Sequence, residues 1–308
     1  MAASTYQVSG LAAYTKDDAN QLMVDFIYSE VDTLKYMTKV PDIKSAQRLN
    51  KVVIDPIWQD QACGWNPSGD TTFSQATLTV GDIAVQLDWC EKQLEPKYIQ
   101  EAMKPGSNLD MLTYKEIFMD EIKQQINMRR EEALWLGDTN SGSQFLNKYD
   151  GLIKNIAAAS GVLTYSGTTW SKANARTVVT GIVDKIQASA PDVIAKGTVK
   201  LFMSPYNLYQ YRQKLIEDNL YHMTGKDATM YDETGTIEII PVRGLRNRSG
   251  YIYAIEPENM FYGTDLLDEA NKMDLWWSQD SQKVRFLAQW KEGTQVFTGT
   301  RIVQYLGV

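Results

Sequence analysis

One histidine, His222, and two cysteines, Cys63 and Cys90, are all the imidazole and thiol this chain carries. A single imidazole excludes the zinc sites that need several histidines. Any Ser-His-Asp triad would have to use His222, and no GxSxG elbow presents a serine to it. Between Tyr221 and Met223 it reads as a surface loop residue. The two thiols match no CxxC spacing and make no disulfide framework; they read as reduced cysteines, with a Cys63–Cys90 bridge as the alternative. No phosphate-binding P-loop and no dinucleotide fingerprint is present. Asp138-Thr139-Asn140-Ser141-Gly142 starts like a calcium loop but lacks the further ligands and the closing glutamate, so it reads as a polar connector. The carboxylate pairs Asp17-Asp18, Glu131-Glu132 and Asp268-Glu269 are predicted to lie on solvated faces. Asn247-Arg248-Ser249 is a formal glycosylation sequon, but nothing marks the chain as secreted. The sequence therefore predicts no catalytic residue, no metal and no cofactor.

Composition narrows the field further. The chain has 308 residues, 44% of them hydrophobic and 22% charged, which is globular and sufficient for one large domain or two ordinary ones. A net charge of −7 argues against sequence-independent DNA binding, which needs a clear excess of Lys and Arg. Nucleic acid nearby would be enclosed rather than gripped. No stretch approaches the ~18 apolar residues of a membrane helix, and no signal-peptide layout opens the chain. It reads as soluble, cytosolic and reduced. Eight tryptophans and seventeen tyrosines are more than a modest core needs, and aromatics are favoured at protein interfaces.

The elements that would have to position any function come in a telling order. Residues 1–50 read as an arm, helical over 18–36 with Leu22 and Phe26 on one face, then polar around Pro41. Residues 51–90 read as a long β-hairpin. Ile83, Val85, Leu87 and Trp89 alternate strictly with Ala84, Gln86, Asp88 and Cys90, and residues 52–58 and 72–80 are the expected partners. Its tip, with Trp65, Asn66, Pro67, Ser68, Gly69 and Asp70, is a dense turn signal that carries a tryptophan. A two-stranded hairpin is marginal alone, so the tip either docks on another surface or folds back on its own domain.

A helix follows over 111–136. Asn108 or Asp110 can cap it, Gly137 stands where a left-handed C′ residue belongs, and its length is ~39 Å. Phe118, Ile122, Ile126, Ala133 and Leu136 form its apolar face; Arg130 and Glu131 are assigned to the polar remainder. Residues 162–170 suggest a small hairpin about Ser166-Gly167. A helix over 171–188 turns Val178, Val179, Ile182, Val183 and Ile186 inward. A strand at 199–203 leads through Ser204-Pro205 into another helix. Strands are expected at 236–242 and 251–255, joined by a turn with Arg243, Arg246 and Arg248 that meets solvent, an acidic neighbour or enclosed DNA. A Trp-rich β-run closes the chain over 273–308.

This order resembles the major capsid proteins of tailed bacteriophages, the Hong Kong ninety-seven-type capsid fold shared with encapsulins. The resemblance covers nearly the whole chain. It is carried by Ala133-Leu134-Trp135-Leu136-Gly137-Asp138 before Asp150-Gly151-Leu152-Ile153, by Leu201-Phe202-Met203-Ser204-Pro205, and by Ile255-Glu256-Pro257-Glu258-Asn259-Met260 before Gly263-Thr264-Asp265-Leu266. It implies an α+β capsid subunit. Residues 1–50 would be the N-terminal arm, 51–90 the extended loop, and 91–170 with 273–308 the peripheral domain, which holds the spine helix at 110–136. Residues 171–272 would be the axial domain.

The resemblance implies self-assembly through pentamers and hexamers into an icosahedral virion shell. That shell would enclose double-stranded DNA without sequence-specific contacts and would be built in the host cytoplasm with scaffold, portal and decoration proteins, with no membrane. The hairpin tip would touch a neighbouring subunit. Tyr221, His222, Lys226 and Tyr231 would lie in a loop near the capsomer axis, and Gly106 and Gly137 are hinge candidates. No long scaffolding segment precedes the arm, so the scaffold would be a separate or cleaved protein. An encapsulin-like compartment is the alternative within shells; gene neighbours distinguish the two. An enzyme or carbohydrate-binding protein using the aromatic loops is the remote alternative, marked by ligand binding to an isolated monomer.

Overall fold

One 14-residue strand, β11 (Lys283–Val296), organises the first layer of the fold. The structure is a computed structural model and describes residues 32–54, 63, 71–90, 111–220, 231–265 and 272–307. On one side β11 pairs antiparallel with β10 (Lys272–Ser278). The other side belongs to β4 (Gly81–Trp89), while on the β10 side β9 (Met260–Thr264), which carries β1 (Thr38–Val40) in parallel, takes over where β10 ends. That change of partner, from β10 to β9, falls at Glu292, which is in register with Thr264 of β9 on one side and with Gly81 of β4 on the other. Glycines gather at this crossing because the backbones nearly touch. A Cβ on Gly293 would sit 1.9 Å from the Thr79 carbonyl oxygen, and one on Gly81 1.9 Å from that of Lys148.

β2 (Ala46–Ile54) and β3 (Thr71–Thr79) form a separate antiparallel two-stranded ribbon. Val80 N–H donates to Ser45 O at 3.0 Å and closes the ribbon's base, which is tied to the sheet by the buried Leu78 and by Gln295 Nε2 donating to Thr77 O at 2.6 Å. Farther out, Phe73 is 75% exposed. Two features differ from the single hairpin expected over 51–90. The ribbon begins at Ala46, and β4 leaves it to join β11. The alternation in β4 explains the departure: Ile83, Val85 and Trp89 make an apolar face that packs against the first core, and a bare ribbon offers no such core.

The long helix spans Met111–Leu136, as its spacing predicts. Gly137 ends it, but not in the left-handed region, which is occupied by Gly161, Gly197 and Gly235 among the described glycines. Gly137 is needed for close approach instead: a Cβ there would lie 2.6 Å from both Ala133 O and Tyr149 O. Its N–H donates to Ala133 O and its carbonyl accepts from Gly151 N–H, both at 2.8 Å.

The second sheet has the order β5 (Leu163–Tyr165), β12 (Ile302–Leu306), β8 (Tyr251–Ile255), β6 (Lys200–Met203) and β7 (Glu238–Pro241). Period-two alternation splits its side chains between two cores. Phe202, Ile240, Tyr253, Ile255 and Ile302 face the first core, which contains Trp135 of the long helix. Leu201, Met203, Ile239, Ile252, Ala254, Val303 and Tyr305 face the second, roofed by the helices Ala175–Ser189 and Pro205–Glu217. All five residues predicted to turn inward from the first of these helices are buried. Ser204 caps the second, its Oγ accepting from Asn207 N–H at 3.2 Å. The hairpin expected about Ser166-Gly167 is absent: β5 pairs in parallel with β12, and Trp170 goes into the second core rather than onto a return strand. No helix of the described residues is long and apolar enough to cross a membrane.

Candidate functional site

The residues singled out by sequence fall largely at the margins of what is described. Trp65, Asn66, Pro67, Ser68, Gly69 and Asp70 lie outside the described residues, as do Tyr221, His222, Lys226 and Gly106. Tyr231 is described: it is 43% exposed and forms an isolated antiparallel bridge with Glu238. Cys63 is exposed and Cys90 half-buried, both as free thiols. No group of three or more metal-ligating side chains occurs among the described residues.

The loop that was expected to carry Tyr221 and His222 is anchored at both stems. Arg176 Nε donates to Glu233 Oε1 at 2.5 Å, and its Nη1 reaches Asp218 Oδ2 at 3.4 Å. One cation on the Ala175–Ser189 helix thus ties the end of the Pro205–Glu217 helix to the returning chain. Asp232 completes the return, its Oδ1 accepting the N–H groups of Thr236 and Ile237, each at 2.7 Å. Lys214 adds a second bond to Asp218 at 2.8 Å, and that carboxyl lies below the usual carboxylate range because of Lys214.

Two buried polar clusters on the long helix were missed by the sequence reading, which placed Arg130 and Glu131 in solvent. Both are 3% exposed. In the first cluster, Arg130 Nε pairs with Glu292 Oε1 at the partner change of β11, and neither side chain reaches water. Arg130 Nη2 donates to Tyr262 Oη at 3.1 Å. Tyr262 Oη donates to Glu292 Oε1 at 3.1 Å, and Tyr149 Oη to its Oε2 at 3.3 Å. Burial pulls the guanidinium pKa down, but Glu292 and the two tyrosines outweigh it and hold Arg130 charged. Burial, with Glu292 beside them, drives both tyrosines well above their ordinary value.

In the second cluster Glu131 accepts from Thr33, the first residue of the 3-10 turn Thr33–Tyr36, and from Gly244 in the turn Arg243–Leu245. Trp135 Nε1 donates to Thr33 Oγ1 at 2.7 Å, and its ring tilts against Phe202 and Tyr253 with centroids 5.7 Å away in each case. A signal for the first cluster was available: Arg130 falls four residues after Ile126 and three before Ala133, on the apolar face of the helix. Charge alone sent it to the surface in the sequence reading.

Among the described residues, a largely apolar cleft of about 450 Å³ lies between β4 and the long helix, lined by Ile83, Val85, Leu87, Ile122, Ile126 and Phe145 among others. The three exposed arginines of the 243–250 turn do not act together. Arg243 reaches Asp32 at 3.4 Å, while Arg248 stacks over the Tyr251 ring at 5.6 Å.

No protein-family model matches the sequence, and none of the curated proteins matches it. Solved structures do. A chain of the satellite phage P4 procapsid that includes the size determination (Sid) protein superposes with a TM-score of 0.63 at 10% identity, over 92% of this chain and 90% of that one. The capsid of the native GTA particle gives 0.60 at 12% identity, over 99% and 94%. The capsid of Myoviridae phage XM1 gives 0.54 at 16% identity, over 87% of each chain. On a likeness of that extent, the chain has the phage major capsid fold.

Proposed function

We propose that this protein is the structural shell protein of a phage capsid, assembling with copies of itself through pentamers and hexamers into an icosahedral shell around double-stranded DNA. The observation that carries this reading is the extent of the likeness. Capsid chains match from 87% to 99% of this chain, so the likeness extends over nearly all of it.

The ribbon supports the same reading. Two strands with Phe73 three-quarters exposed at the far end make a limb that buries little on its own body. In this proposal residues 1–50 are the arm and the 51–90 region the extended loop. Residues 91–170 and 273–308 form the peripheral domain, and 171–272 the axial domain. The tip from Trp65 to Asp70 meets a neighbouring copy. The loop stapled by Arg176, with Tyr221, His222, Lys226 and Tyr231, lies near the ring axis. Gly106 and Gly137 absorb the angle between rings of five and six; Gly137 is held by Ala133 and Gly151, so the helix end and the next loop turn there together. A scaffold, a portal and decoration proteins complete the partner set.

Sedimentation and electron microscopy of the concentrated protein, alone and with its scaffold, test the proposal. Rings or closed shells are the expected result. A compact monomer under both conditions overturns it.

A further inference from the structure

Two stretches far from the long helix in sequence converge on its Glu131 carboxylate, and each described group that bonds to it is neutral. Thr33 gives its backbone N–H at 3.3 Å to Oε2 and its hydroxyl at 2.5 Å to Oε1. The Trp135 indole N–H occupies a lone pair of that hydroxyl, so the Thr33 proton is committed to Glu131. Gly244 adds a backbone N–H, and only a glycine fits: a Cβ there would lie 2.4 Å from Glu131 O.

The charged and titratable neighbours are few. On the Thr33–Tyr36 side stand Asp32, Lys35 and Tyr36, with Asp32 paired to Lys35 at 3.9 Å and to Arg243 at 3.4 Å. On the other side Arg243 is 71% exposed and turned to Asp32, and Arg246 is exposed. On the long helix itself Arg130 is engaged by Glu292, and Glu132 by Arg129 at 3.2 Å. Beneath the turn, Lys200 and Glu238 pair with each other and act on Tyr36. A carboxylate removed from water and served only by neutral donors is costly to ionise.

We propose that Glu131 is a proton-operated latch: taking up a proton tightens the hold of residues 32–37 on the long helix and the Arg243–Leu245 turn, and releasing it loosens that hold. Protonation keeps the geometry intact. Oε2 still accepts the Thr33 N–H, and a proton on Oε1 is donated to Thr33 Oγ1 as that hydroxyl turns its own hydrogen away. Residues 1–31 precede this segment directly in the chain, so the latch sits at the point where they are attached. The inference stands independently of the shell reading.

The direction follows from linkage. Burial pushes the latched carboxyl up to about 7; the Thr33 and Gly244 bonds oppose this, and Asp32 reinforces it. Once the segment lifts, the carboxyl is hydrated and returns towards its ordinary 4.5. The latched form therefore binds the proton more tightly, and latching weakens as pH rises from about 4.5 to about 7.

Hydrogen–deuterium exchange on the full chain tests this, with rates corrected for intrinsic pH dependence. Protection of residues 32–37 and 243–246 should fall roughly ten-fold or more between about pH 5.5 and about pH 8, while β8 stays constant. Glu131→Gln should abolish that fall. Asp32→Asn, which keeps the carboxyl, should preserve it but move its midpoint to lower pH. Protection that ignores pH in the natural protein overturns the latch, as does an unchanged fall in Glu131→Gln. Should Glu131→Gln fail to fold, a midpoint that Asp32→Asn leaves unmoved is decisive against it.

Discussion

Arg130 and Glu292 show how much a single side chain settles here. The pair is out of reach of water, and two tyrosine hydroxyls fill the remaining positions on the carboxylate. Removing one partner leaves the other charge buried without compensation, which typically costs about 3–5 kcal/mol. Arg130→Met should therefore lower the unfolding free energy by roughly that amount in a urea titration. Adding Glu292→Gln to it should recover a large part of the loss, because the orphaned charge is gone. Equal stability of the single and double variants would show that the pair contributes through packing alone.

At the scale of elements, the crossing of β3, β4, β9 and β11 is a steric matter. Gly293 has the Thr79 carbonyl where a methyl would stand, and Gly263 has the side chains of Ile43 and Leu78 within about 3 Å of the same position. Gly293→Ala forces the ribbon base away from the sheet and should cost about 1–3 kcal/mol, read as a lower denaturant midpoint. Faster proteolysis within residues 46–54 should accompany it. The loop stems make a different prediction. Arg176→Ala frees Asp218 and Glu233 from each other, so nicking between residues 218 and 233 should speed up several-fold while the melting temperature barely moves. These elements were legible in the sequence to different degrees. The long helix and β8 lie where the pattern puts them, since the first keeps roughly helical apolar spacing and the second is a short apolar run. The partner of β4 was not legible, because alternation tells which face is apolar and not which strand lies alongside.

For the whole molecule, the two cores and the ribbon divide the labour. The cores hold the two sheets and the long helix as a body, and the ribbon is tied to it at its base. Deleting residues 63–70 shortens the connection between β2 and β3 and removes none of the described residues of either core. The subunit should keep its fold by circular dichroism and lose assembly in sedimentation. Normal shells from that variant would remove the tip from Trp65 to Asp70 from the proposed contacts. The latch at Glu131 belongs to this scale as well, because it joins the first described residues to the long helix and to a turn more than a hundred residues later.

The sequence by itself determined the inventory: the lone His222, two thiols without a motif, the long helix, the alternating strands, and the order of elements that resembles a capsid subunit. Those features are local or depend only on order, so periodicity, capping chemistry and residue counts reach them. Only the tertiary structure decided that β4 leaves the ribbon for β11, that Gly137 serves close approach and not a left-handed turn, and that Arg130 and Glu131 are buried. Each depends on a partner far along the chain. A charged side chain is buried only where a distant acid, hydroxyl or backbone N–H meets it, and no local pattern encodes that meeting.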